Sequence, residues 1–218
     1  MDTKKNAYAE NAVTAGEMEN ESAFHFNANR EESLMKPALL LHSCCGPCST
    51  AVIERLVRTY KITVFFYNPN ISDRAEYGRR RDAQNDFIEQ YNRNVNAPDT
   101  LLFMEGAYEP GLFEKAVRGK ESLPEGGARC DVCFRLRLEK TAETAVLAGF
   151  DFFATTLSVS PHKNYETIAR IGMELGLRYR ICFLAEDFKK QDGFRRSVEL
   201  SKQYGLYRQT GCGCRFAP

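Results

Sequence analysis

Tryptophan is absent from the 218 residues, and histidine occurs only three times, at His25, His42 and His162. The H-E-x-x-H pair of zinc peptidases is missing. So are G-x-x-x-x-G-K-[ST], a G-x-G-x-x-G following a strand, and G-x-S-x-G, so phosphate-loop, dinucleotide and nucleophile-elbow chemistries have no motif to stand on. No apolar run approaches the ~20 residues that cross a bilayer. The first twenty residues, MDTKKNAYAENAVTAGEMEN, contain no apolar h-region, so no secretory signal and a cytoplasmic location are expected. Neither charge sign dominates: 30 basic residues face 29 acidic ones, a net of +1. That balance excludes a protein that coats nucleic acid by charge alone, and leaves room for a local basic patch.

What the chain does have is eight cysteines, together with 15 Phe and 10 Tyr to build a core. A disulfide scaffold suits small secreted chains. In a longer chain with no visible export signal, metal or redox chemistry is the better expectation. The length suits one domain. Residues 1–36 stand apart: they carry 4 basic and 7 acidic side chains and no cysteine, leaving 26 basic and 22 acidic for the rest. They read as a flexible tail before a domain over 37–218.

From Pro37 onward short apolar runs alternate with amphipathic stretches. Strands are predicted at Ala38–Leu41, Ile62–Tyr67, Thr100–Met104, Phe152–Thr156 and Arg180–Phe183. Helices are predicted at Ser49–Tyr60, Asp73–Tyr91, Pro110–Arg118, Asp131–Ala148, Asn164–Leu175 (ended by Gly176) and Gly193–Tyr204. Strand–helix alternation at this spacing predicts an α/β fold, a parallel twisted sheet covered by helices, with ligands at the carboxyl ends of the strands.

Seven cysteines fall where such a fold binds ligands. Cys44, Cys45 and Cys48 follow the first strand and open the first helix, where free amides favour thiolates. Cys130 and Cys133 form a C-x-x-C step at a glycine-rich helix entry. Cys212 and Cys214 form a C-x-C pair between glycines near the C-terminus. Cys182, alone in an apolar run, reads as a core residue. One tetrahedral zinc or one four-iron cluster takes four thiolates, so a 3+2+2 set points to more than one structural metal. Three other readings stay open at this stage. They are a zinc-stabilised RNA-binding module, a thiol–disulfide oxidoreductase using Cys130 and Cys133, and a nucleotide-activating enzyme of the same fold.

Five ordered segments, LLLHSCCGPCS, FFYNPNI, EGGARCDVCFRLRLEKTA, FFATTLSVSPHKN and YRQTGCGCRFA, resemble the non-cobalamin epoxyqueuosine reductases, the QueH family. The resemblance spans residues 37 to 217. It implies an adenine-nucleotide-hydrolase-like α/β fold with cysteine-rich loops at the strand carboxyl ends. It also implies reduction of epoxyqueuosine to queuosine at the wobble position of tRNA, with a [4Fe–4S] cluster and an adjacent mononuclear iron. The implied ligands are Cys44, Cys45, Cys48, Cys130, Cys133, Cys212 and Cys214. The family also accepts an acidic residue at the position of Cys48, which would make Cys48 the variable ligand of the single iron.

The reaction needs a proton source, for which His42, Tyr67, Asp131 and His162 are candidates. Electrons would come from an external donor of ferredoxin or flavodoxin type. An anticodon loop would be read by stacking and by cations. Candidates for the latter are Arg79, Arg80, Lys189, Lys190, Arg195, Arg196 and Arg208, helped by a local excess of 9 basic over 4 acidic residues from Arg178 on.

Overall fold

The structure, a computed structural model, describes residues 36–96 and 99–217. The tail expected over 1–36 lies, apart from Lys36, outside the described residues. Among the described residues there are five strands: β1 (Ala38–Ser43), β2 (Lys61–Phe66), β3 (Leu102–Glu105), β4 (Phe152–Thr155) and β5 (Cys182–Phe183). Six α-helices join them: α1 (Gly46–Leu56), α2 (Arg74–Asn92), α3 (Pro110–Ala116), α4 (Ala128–Leu147), α5 (Tyr165–Tyr179) and α6 (Gly193–Gln203), with a 3₁₀ turn at Thr156–Val159. All pairings are parallel and the order is β3-β2-β1-β4-β5. The expected α/β architecture is therefore borne out.

Alternate residues along each strand serve opposite faces. Leu40, Phe65 and Phe153 pack against Phe134, Leu138 and Ala142 of α4 and Ile168, Ile171 and Leu175 of α5. Leu39, Leu41, Ile62, Val64 and Ala154 pack against Val52, Ile53 and Leu56 of α1 and Phe87 and Ile88 of α2. Burying a Leu or Phe side chain this fully is worth roughly 1.5–3 kcal/mol before entropy is counted. α6 lies on α1, tied by a two-pronged Arg196–Glu54 pair at 2.9 and 2.7 Å.

β1 is the switch point. β2 lies on one side of it and β4 on the other, and the registers Ser43↔Phe66 and His42↔Thr155 bring the three carboxyl ends level. The loop leaving β1 therefore opens into the crevice where such sheets bind ligands.

Three local expectations need correction. α5 runs through Gly176 to Tyr179; its stop is Arg180, at φ 56°, with the amide of Ile181 bonded back to the carbonyl of Gly176 at 3.0 Å. β1 extends two residues further than its apolar run, because His42 and Ser43 are polar yet fully buried. Cys182 is exposed on β5, not in the core, because β5 is the edge strand of the sheet among the described residues.

Candidate metal centre

β1 delivers the first cysteine group. Cys45 is the extended residue before α1, and Gly46 and Pro47 form the first turn. Only glycine fits at 46: a Cβ there would stand 2.5 Å from the carbonyl oxygen of Ala83 in α2. This close approach holds the loop down on the sheet. The Sγ atoms of Cys44, Cys45 and Cys48 lie within 4.8 Å of one another, a spacing that can hold a metal ion. Cys45 Sγ is 2.9 Å from Cys48 Sγ and 3.8 Å from Cys44 Sγ, and none of these thiols is in a disulfide. Gln209 closes the group from the C-terminal segment, its Nε2 donating to Cys45 Sγ at 2.9 Å.

Within the triad, hydrogen bonds from Cys45 and Cys48 pull Cys44 well below the usual thiol range. Burial pushes Cys45 well above it, and the bond to Cys44 pushes Cys48 up to about 12. Metal uptake here must therefore release protons.

Cys130, Cys133, Cys212 and Cys214 share the lining of one small cavity with Phe113 and Arg129. α4 contributes the first two, and its entry is fixed by the buried Arg129, which donates to the carbonyls of Glu121 and Leu123. The Gly126 amide donates to Cys130 Sγ at 3.2 Å. Burial pushes Cys133 up to about 12.

The C-x-C loop is clamped by the start of α2. Arg80 is 4% exposed; it pairs with Glu76 at 2.7 Å and donates to the carbonyls of Cys212 and Gly211, both at 3.1 Å. Gly213 takes φ 85°, a conformation L-residues avoid, and this turns its carbonyl toward the amide of Ser72 at 3.1 Å.

Beside these groups lies a polar cavity of about 300 Å³. Its walls include Cys48 from the first group, Cys212 from the second, and Lys163, His162, Gln209 and Arg208.

The sequence-expected candidates are placed as follows. His42 is wholly buried, with Nε2 donating to the carbonyl of Tyr67 at 3.1 Å and Nδ1 2.9 Å from Thr155 Oγ1. Burial and then Arg137 push it down to about 3, so it stays neutral and ties β1 to its neighbours. The Tyr67 hydroxyl donates to Glu109 at 3.3 Å, and burial and then that carboxylate push it up to about 12. Asp131 sits in the first turn of α4 and favours the helix start. His162 lines the cavity.

Of the seven expected nucleic-acid contacts, Arg208 alone lines the cavity. Arg80 is buried on the C-x-C loop, and Arg196, 43% exposed, pairs with Glu54 between α6 and α1. Lys189 donates to the carbonyl of Lys163 at 3.0 Å. Arg79 pairs with Glu76 at 2.6 Å. Arg195 pairs with Asp192 at 3.0 Å on an exposed surface, and Lys190 is exposed.

Sequence reasoning missed Lys163, Gln209 and Arg137. Lys163 and Gln209 reach the site only through tertiary folding. Arg137 had a readable signal, lying four residues after Cys133 on the same helical face.

A family model described as "Epoxyqueuosine reductase QueH" matches residues 39–218. The chain belongs to the epoxyqueuosine reductase QueH family. It is 45% identical over 187 residues to "Epoxyqueuosine reductase QueH" of Streptococcus pyogenes serotype M1, covering 86% of this chain and 72% of the relative. It is 41% identical to the protein of that name from Staphylococcus aureus, covering 86% and 78%. The corresponding figures for the Thermotoga maritima protein of that name are 35% identity, 82% and 89%. No helix among the described residues is long and apolar enough to cross a membrane.

The donor set fits the metal groups expected of a thiolate-rich reductase. Three sulfurs gather within reach of one ion, four more line a second cavity, and soft thiolates suit iron.

Proposed function

We propose that this protein reduces epoxyqueuosine to queuosine at the wobble position of tRNA. The observation that carries the reading is the polar cavity whose wall takes one thiol from each cysteine group, Cys48 and Cys212. A substrate held there would touch both groups at once. Family membership supports the same substrate.

Removing an epoxide oxygen takes two electrons and two protons. Two C–O bonds break, a carbon–carbon double bond forms, and the oxygen leaves as water. Cys130, Cys133, Cys212 and Cys214 match a [4Fe–4S] cluster in number, and Cys44, Cys45 and Cys48 would hold the adjacent mononuclear iron. Bound there, these groups supply a Lewis acid for oxygen and a relay for single electrons from an external ferredoxin- or flavodoxin-type donor.

The chain's own residues do the rest. Gln209 orients the Cys45 sulfur through its amide. Burial disfavours the Lys163 ammonium, but the nearby thiols of Cys44, Cys212 and Cys48 outweigh this and hold its pKa above the ordinary value. Its backbone is fixed by Lys189, so Lys163 presents a held proton to the cavity, with His162 beside it. Phe194, 40% exposed, and Arg208 also line the cavity, offering an aromatic face for an unpaired base and a cation for phosphate.

The test is anaerobic incubation of the iron-loaded protein with tRNA carrying epoxyqueuosine and a chemical reductant, followed by mass analysis of the nucleosides. The expected product lacks one oxygen atom. Unchanged epoxyqueuosine with fully loaded protein contradicts the proposal.

A further inference from the structure

Arg137 lies on α4, four residues beyond Cys133 and seven beyond Cys130, on the helical face that carries both. Its side chain is 1% exposed. Nε donates to the carbonyl of Cys133 at 3.2 Å, and the guanidinium carbon stands 5.7 Å from the Phe134 ring centroid. Nη2 is buried without a hydrogen-bond partner. Among the described residues no carboxylate pairs with it, whereas the buried Arg80 has Glu76.

The Arg137 charge lies within electrostatic reach of thiols of both groups, and of His42 and Lys163. Its charge interacts with Cys133 and Cys212 of one thiol group and with Cys44 of the other. A guanidinium cannot shed its proton to escape burial. A buried charge lacking a counter-charge is strongly unfavourable. Among the described residues, the groups its charge acts on that can become anionic are thiols of the two groups, and metal binding requires them to be so.

We propose that Arg137 is a positioning residue that acts as the shared counter-charge of both metal–thiolate groups, its free Nη2 donating to sulfur once they are filled. The inference rests on reading the seven cysteines as metal ligands. It predicts opposite effects on the two forms of the protein. In the metal-free form the guanidinium has no carboxylate partner and an unpartnered Nη2, so a neutral replacement leaves stability unchanged or higher. In the loaded form the positive charge favours the more negative, reduced state, so a neutral replacement lowers the reduction potential. Because the charge acts on both groups, it also lowers the repulsion between them.

The test compares wild type with R137Q, R137M and R137K, each loaded anaerobically with iron and sulfide. Iron and sulfide are counted, the reduced fraction is titrated against potential by electron paramagnetic resonance, and the metal-free forms are unfolded in urea. The expected result is that R137K titrates within about threefold of wild type. R137Q and R137M show at least a tenfold smaller reduced-to-oxidised ratio at a given potential, equivalent to about 59 mV for a one-electron couple. Neutral variants that fold metal-free but lose iron, while R137K retains it, also support the assignment.

Neutral variants titrating like wild type overturn it. So does R137K behaving like R137M, since that makes the planar fork and not the charge the essential feature. Neutral variants that cannot fold metal-free overturn it too, by giving Arg137 a purely structural role. A wild-type protein that takes up neither iron nor sulfide overturns the metal reading itself, which is a distinguishable failure.

Discussion

Replacing Arg80 with alanine removes the clamp on the C-x-C loop. Its guanidinium makes one ion pair, to Glu76, and two hydrogen bonds, to the carbonyls of Cys212 and Gly211. Glu76 keeps Arg79 and the Tyr207 hydroxyl as partners, so the carboxylate is not left bare. The two carbonyls lose their charged donor, and Cys212 retains only a long 3.5 Å contact from Asn70. Breaking a buried pair by removing one partner costs about 3–5 kcal/mol. The surviving partners of Glu76 put the expected loss near the lower end, about 3 kcal/mol. With a urea slope of about 2 kcal/mol/M, the unfolding midpoint falls by roughly 1.5 M.

The loop should also loosen locally. In metal-free R80A, Cys212 and Cys214 should react with a thiol reagent at least tenfold faster than in wild type, while Cys44 and Cys45 keep their protection. Peptide mapping of the labelled protein separates the sites. An R80A protein within about 1 kcal/mol of wild type, with unchanged labelling at Cys212 and Cys214, would refute the clamp. That difference is the size of an ordinary surface pair.

Further outcomes follow from the same geometry. Cys130→Ser should lose most of the bound iron and sulfide, whereas Cys182→Ser, on the exposed edge strand, should load like wild type; metal analysis of the two purified proteins distinguishes them. Phe194→Ala should raise KM for the modified RNA by roughly five- to a hundredfold with little change in kcat, and Phe194→Tyr should restore it, as base–aromatic stacking requires. The hydrogen bond from Arg196 holds the Glu54 carboxyl below its ordinary value, so the pair stabilises the fold above pH about 4.5 and its contribution is lost as pH falls through the lowered value. Glu54→Gln should therefore be less stable than wild type by roughly 0.2–1 kcal/mol at pH 7, with the gap closing below pH about 4 in urea titrations.

The layered fold was legible because short continuous apolar runs and amphipathic helices alternate from Pro37 on. The sequence was misleading where tertiary contacts decide. Gly176 looked like a helix stop, yet the left-handed turn sits at Arg180. Cys182 looked buried because its neighbours are apolar, and the strand order then left β5 at an edge. The cysteine sites were legible as loops but not as groups. Spacing alone gave 3+2+2, whereas the fold joins the C-x-x-C of α4 to the C-terminal C-x-C around one cavity. Charge in a sequence does not reveal partners: Arg80 is clamped on the C-x-C loop, Arg196 pairs with Glu54, and Lys163, whose ammonium acts on thiols of both groups, stands outside any run.

The most direct test of the central claim is the content of iron, zinc and acid-labile sulfide per chain in protein purified without oxygen. The account predicts brown protein with about four sulfides and more than four irons, one cluster and one further ion. Colourless protein that holds zinc and no sulfide, even after reconstitution with iron and sulfide, would contradict it.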